Sequence, residues 1–232
     1  MKFPLGLPIT IHTDFDQRTP DWHELREPNI GASEAHIVMA GGKNGKDTAA
    51  KGDLRIMKAL AQCGIHQPPG ATYQSADMAR GIELESAARI AFEFSTGCYV
   101  QEVAYISSDV HPIGCSPDGL LGETGVLEIK CPKPRIAWAT HQLHSDGLPG
   151  IPPGYHPQIY HALAVTGREF LIWCSYCPSL GPDLEVCLRA VHASEITDQI
   201  DAYLEKLRQF LAEIAAEAER IRAAIIATKE GI

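Results

Sequence analysis

Three residues of this 232-residue chain have the types and spacing for phosphodiester chemistry: Asp118, Glu128 and Lys130. Gly122 and Gly125 mark a turn between Asp118 and the apolar run Val126–Lys130, so a short hairpin would bring the three together. Side chains alternate along a strand, which puts Glu128 and Lys130 on one face and Leu127 and Ile129 on the other. Two hard oxygen ligands suit Mg²⁺ or Mn²⁺. A neighbouring lysine can activate water or stabilise charge, the set required for metal-dependent phosphodiester hydrolysis.

The flanking pattern supplies elements to hold that hairpin. Asp21 is read as the cap of a short helix through Arg26, and Ser33 as the cap of another over Glu34 to Ala40. Gly41–Lys46 reads as a flexible basic loop, 49–62 as a helix, and Pro68-Pro69-Gly70 as a break. From Ser75 to Ser95, Met78, Ile82, Ala88, Ile90 and Phe92 make a helical core pattern. Strands are expected over Cys98–Ser107, His111–Asp118 and Val126–Lys130. A long Gly/Pro loop then leads to a helix around Pro157–Thr166, followed by strands over Phe170–Tyr176 and Leu184–Val191. Ser194 opens a long amphipathic helix with Ile196, Ile200, Leu204, Leu207, Leu211 and Ile214 on its apolar side. This order predicts one α/β domain over 1–232, a mixed central sheet flanked by helices.

Four blocks of sequence resemble the lambda exonuclease, or YqaJ-type viral recombinase, branch of the PD-(D/E)xK nucleases. They are Trp22-His23-Glu24-Leu25-Arg26 with Gly31-Ala32-Ser33-Glu34; Gly81 with Glu85, Ala88-Arg89 and Phe92-Glu93-Phe94; Cys115–Leu120 with Leu127–Pro132; and Tyr155-His156-Pro157-Gln158 with Tyr160 and Thr166. The resemblance spans roughly residues 20 to 178 and implies a restriction-endonuclease-like fold. It implies that Asp118, Glu128 and the Ile129 carbonyl hold Mg²⁺ at two sites, with Mn²⁺ able to substitute. Glu85 and Gln158 would assist there, and Arg26, Ser33 and Ser116 would bind a terminal 5′-phosphate. Met78 is either an apolar wedge between strands or a core methionine.

The implied activity is 5′→3′ exonucleolysis of double-stranded DNA, releasing mononucleotides and leaving 3′ tails for recombination by annealing. A homotrimeric ring and a single-strand-annealing partner are implied as well. A restriction-like endonuclease on the same fold and a non-catalytic DNA-end-binding module are the rival readings.

Charge and composition bound these readings. The net charge of −9 leaves DNA binding to a local surface, and residues 41–60 supply one candidate, with five basic and two acidic side chains. The long last helix is acidic. No apolar run approaches the ~20 residues of a membrane span, and the first residues do not read as a signal peptide. Seven cysteines without framework spacing suggest free thiols in a reducing cytoplasm. Cys174 and Cys177, even with Cys63 and Cys187, are read as buried thiols rather than iron–sulfur ligands. His141, His144, His156 and His161 are too scattered for zinc. Neither a P-loop nor a serine-hydrolase elbow is present.

Overall fold

The computed structural model describes residues 7–42, 47–66, 75–142 and 147–230. Lys43 to Lys46 of the basic loop, the Pro68–Gly70 break and His144 lie outside them. Among the described residues eight strands form two four-stranded mixed sheets. The first has the order β1 (Ile9–His12), β3 (Tyr105–Ser108), β4 (Ile113–Cys115), β2 (Ile30–Gly31), with β2 and β4 parallel. The second runs β5 (Gly119–Leu121), β6 (Gly125–Lys130), β7 (Phe170–Tyr176), β8 (Val186–His192), with β6 and β7 parallel. An isolated bridge between Gln101 and Leu120 links the segment before β3 to β5.

Parallel neighbours need a crossover. Two helices supply it between β6 and β7: α5 (Pro134–His141) and α6 (His156–Thr166). The other helices are α1 (Pro20–Arg26), α2 (Ala35–Met39), α3 (Ala49–Gln62), α4 (Ala76–Thr96) and the 34-residue α7 (Thr197–Glu230). Strand alternation sorts the second sheet between two apolar layers. Val126, Leu171 and Trp173 join the large core with α6, α7 and α3. Leu127, Ile129, Cys174 and Tyr176 pack with Ala88 and Phe92 of α4. Glu128 and Lys130 follow the phase of Val126, so both sit on the α6 side.

The expected helices over 49–62 and 157–166, the strand 170–176 and the long last helix all form, with small shifts at their ends. The differences have local causes. Thr19, not Asp21, caps α1, accepting from the Trp22 N–H, and Pro20 follows at the first helical position. Ser33 caps nothing: residues 32–34 form a 3₁₀ turn, and the Glu34 carboxylate accepts from the Gly31 N–H at 2.8 Å. The run Cys98–Ser107 pairs as a strand only from Tyr105. Pro112 and Pro117 bracket β4, which is three residues long.

Helix α5 lies in a stretch read as loop, because only Ala137 and Thr140 of its eight residues are buried and no apolar stripe announces it. In α4 only Ala88 and Phe92 are buried. Met78, Ile82 and Ile90 are exposed, so the apolar residues of this helix do not form one core face.

Glycine is required at 114, where an added Cβ would lie 2.2 Å from the Tyr105 hydroxyl oxygen. It is favoured at 167, whose left-handed φ of 64° ends α6.

Candidate active site

The carboxylates converge where β5 meets the C-terminal end of β6. Asp118 leaves the β4–β5 connection, and its Oδ2 accepts the Ile129 N–H at 2.5 Å. Glu128, on β6, is 4% exposed. Its Oε1 accepts from Lys130 Nζ and, at 2.5 Å, from Gln158 Nε2 on α6. Lys130 Nζ also lies over the Tyr155 ring, 5.5 Å from its centroid.

Glu85, on α4, receives two guanidiniums: Arg18 at 2.5 Å and Arg89 at 3.1 Å. Arg89 goes on to the Asp118 carbonyl at 3.0 Å and to Glu102 at 2.8 Å, tying α4 to the loop that carries Asp118. Glu128, Lys130 and Gln158 are therefore bonded to one another, Asp118 joins them through the Ile129 backbone, and Glu85 reaches the Asp118 backbone through Arg89.

Burial, reinforced by the Glu128 carboxylate, raises the Asp118 pKa above the carboxylate range. Burial alone would lower Lys130, but Glu128 and Asp118 outweigh it and hold the amine near 12. The two carboxylates that face Lys130 thus favour its ammonium form.

No three His, Cys, Asp or Glu side chains among the described residues are grouped to hold a metal. The carboxylates are instead bonded by N–H groups and cations. The donor chemistry nonetheless fits Mg²⁺, which binds through one or two carboxylates and retains several waters. Asp118, Glu128 and the Ile129 carbonyl would hold it.

Beside these carboxylates lies a second cluster. The indole N–H of Trp22, which is buried, donates to Ser116 Oγ at 2.8 Å and to the Ala104 carbonyl at 3.2 Å. Arg26 stacks on the same indole, with its guanidinium carbon 4.7 Å from the ring centroid, and donates to Ser33 Oγ at 2.6 Å. Arg26, Ser33 and Ser116, predicted from three separate segments, thus share one network around Trp22. Gly31 runs close under Arg26, where a Cβ would come within 3.5 Å of Nε.

Behind this cluster Lys58, 4% exposed, pairs with Glu34 at 3.0 Å and donates to the Glu27 carbonyl at 3.1 Å. Burial lowers its pKa, and Glu34 partly offsets that. Lys58 is therefore a buried strut and no part of a DNA-facing surface. Lys51 pairs with Asp47, and Arg55 with Asp47 and Glu213. The basic segment 41–60 does not present its described cations as a free positive face, because internal acids take them. Met78 is 52% exposed, so it is not a core methionine.

Several participants carried no sequence signal of their role. Trp22 and Arg89 stood in quoted motifs without a function, and Gln17 and Arg18 stood in none. Gln17 Nε2 donates to the carbonyls of Val103 at 3.2 Å and Pro117 at 3.1 Å, fastening the loop before α1 to the residue preceding Asp118. The other candidate sites separate. Cys174, Cys177 and Cys187 are buried free thiols, with burial pushing Cys174 up to about 12. His141 contacts Ser175, His156 contacts the carbonyls of Leu148 and Ile151, and His161 is buried between Tyr203 and Gly114.

Comparison with known proteins bears on this geometry. The model of the YqaJ-like viral recombinase domain matches residues 21–169. Two crystal structures of the alkaline exonuclease LHK-Exo from Laribacter hongkongensis, one of them in complex with dAMP, superpose with a TM-score of 0.73 at 27% identity. They cover 90% of this chain and 100% of that one. A phage-related exonuclease from Haemophilus somnus 129PT shares the fold, with a TM-score of 0.56 at 13% identity, over 82% of this chain and 96% of that one. No curated protein matches. Among the described residues no helix is long and apolar enough to cross a membrane.

Proposed function

The chain belongs to the YqaJ-like viral recombinase family, and we propose from that premise that it is a Mg²⁺-dependent 5′→3′ exonuclease of double-stranded DNA. The observation that carries this reading is the continuity of Ser116, Pro117 and Asp118. Ser116 belongs to the Trp22–Arg26–Ser33 cluster, and Asp118 belongs to the carboxylate site. One residue, Pro117, separates them, so their Cα atoms lie within about 7 Å. A side-chain cluster suited to a terminal phosphate would therefore adjoin the carboxylates, as removal of one nucleotide at a time requires. The LHK-Exo complex with dAMP, a mononucleotide, supports the same product class.

Each side chain has a physical task. Arg26 pairs with the 5′-phosphate through its planar fork, and Ser33 and Ser116 add directional hydroxyls. Gln158 holds the Glu128 carboxylate in one orientation, and Arg89 holds the Asp118 backbone. Lys130, as an ammonium, stabilises the charge that develops on the attacked phosphate. Bound Mg²⁺ would supply Lewis acidity and stabilise the entering and leaving oxygens. The product would be mononucleotides and a 3′-ended strand suited to an annealing protein in phage-type recombination. A homotrimeric ring would hold the enzyme on its DNA. The exposed Ile90 and Phe94 of α4, 67% and 92% accessible, are candidate material for subunit contacts.

The test uses linear duplexes labelled at the 5′ or the 3′ end, together with a covalently closed circle, in Mg²⁺. Early release of the 5′ label as mononucleotide with an intact circle is the expected result. Cutting of the circle would replace the reading with an endonuclease. End binding without any hydrolysis would replace it with a binding module.

A further inference from the structure

Two arginines close on Glu85, and they differ in what else they hold. Arg89 is 13% exposed at its side chain and divides its guanidinium among Glu85, Glu102 and the Asp118 carbonyl. Arg89 thus anchors the loop but shares one charge between two carboxylates. Arg18 is 42% exposed and, among the described residues, makes one side-chain interaction, to Glu85. Its side chain is thus less enclosed than that of Arg89, and its fork has donors beyond the one that Glu85 takes.

Its backbone is also unusual. Arg18 has φ of 70°, the only positive φ outside glycine among the described residues. A residue with a side chain is strained there, as glycine is not. Its neighbours maintain the conformation: Gln17 bridges to Val103 and Pro117, and Thr19 caps α1 while its hydroxyl donates to the Asp16 carbonyl at 2.7 Å. The fold thus enforces a left-handed conformation that places a second, more exposed guanidinium on Glu85.

We propose that Arg18 is a DNA-backbone-binding residue, its bond to Glu85 holding the guanidinium oriented toward a phosphodiester that enters the carboxylate site. The proposal rests on the nuclease reading and extends it to a residue in the loop before α1. Glu85 serves as the orienting partner and the incoming phosphate as the ligand for the remaining donors. Arg18 would track the strand being degraded, apart from the Arg26 pocket that takes its end.

Equilibrium binding to a 5′-phosphorylated duplex, measured by anisotropy in EDTA over a range of KCl concentrations, separates the possibilities. Two variants are compared with the wild type, Arg18→Gln and Arg18→Gly; glycine adopts the left-handed backbone freely, so Arg18→Gly should melt at or above the wild-type temperature. Both should bind several-fold more weakly, and the slope of log K against log[salt] should fall by about one, the loss of a single phosphate contact. Wild-type slopes in both variants would overturn the proposal and leave Arg18 as a counter-ion of Glu85. Failure of the wild type to hydrolyse linear duplex in Mg²⁺ would instead overturn the nuclease reading on which it stands.

Discussion

Trp22 donates its indole N–H to Ser116 while Arg26 lies across the face of the same ring. One aromatic side chain therefore sets both the hydroxyl and the guanidinium of the proposed phosphate cluster, and Ser116 stands two positions before Asp118. Trp22→Phe should keep the stacking surface and lose the donor. The expected result is a several-fold smaller preference for 5′-phosphate over 5′-hydroxyl ends, with stability lowered by about 1 kcal/mol for the lost buried hydrogen bond. Initial rates on the two end types measure it, and an unchanged ratio would show that Ser116 needs no orienting donor.

Asp118→Asn separates the charge of this residue from its shape. Asparagine can still accept the Ile129 N–H, so the turn into β5 should persist. Without Mg²⁺ the variant should be at least as stable as wild type, because a buried carboxylate facing Glu128 has been removed. In Mg²⁺ it should lose nearly all hydrolysis. Melting curves and a nuclease assay together check both halves, and a marked loss of stability would count against the repulsion argued here.

Lys130→Ala should retain DNA-end binding while cleavage falls by two orders of magnitude or more, the usual scale for losing one group that stabilises developing charge. Binding in EDTA and single-turnover rates in Mg²⁺ distinguish the two effects. Parallel loss of both would assign Lys130 to binding.

Glu34→Gln leaves the buried Lys58 ammonium without its counter-charge. Stability should fall by about 3 kcal/mol. Because Glu34 also holds the Gly31 N–H beneath Arg26, discrimination for the 5′-phosphate should weaken too. Denaturant titration and end-preference assays read these separately.

His161 predicts an acid limb in stability. Its Nε2 must donate to the Gly114 carbonyl, which only accepts, so the neutral ring accepts the Tyr203 hydroxyl at Nδ1. Burial lowers the pKa from 6.5 to about 4, against smaller raising effects of the Gly114 and Ile30 carbonyls and Glu34. Below pH 6.5 the unfolded chain takes up a proton that the folded chain refuses. The stability contributed by the neutral ring is thus complete above 6.5 and is lost as pH falls toward 4, by up to about 3 kcal/mol. His161→Gln should flatten this part of the profile in chemical denaturation, and an unaltered slope would refute the assignment.

Local order along the chain already determined the strand that carries Glu128 and Lys130, the helices α3, α6 and α7, and the proximity of Asp118 to β6. These depend on alternation, on helical periodicity and on a tight turn, all of which act over a few residues. The same reasoning lost α5, whose burial is confined to two positions, and read α4 as core, although packing covers only Ala88 and Phe92.

Tertiary structure alone decided which charges remain available. Lys51, Arg55 and Lys58 read as one basic surface, yet their acids come from as far away as Glu34 and Glu213. Likewise Gln17, Arg18 and Arg89 became part of the site only when the loop before α1 and helix α4 met Pro117, Glu85 and Asp118. Sequence spacing specifies which face a side chain takes on its own element. The partner that neutralises it arrives across the fold, where burial and distance set the strength of each charge.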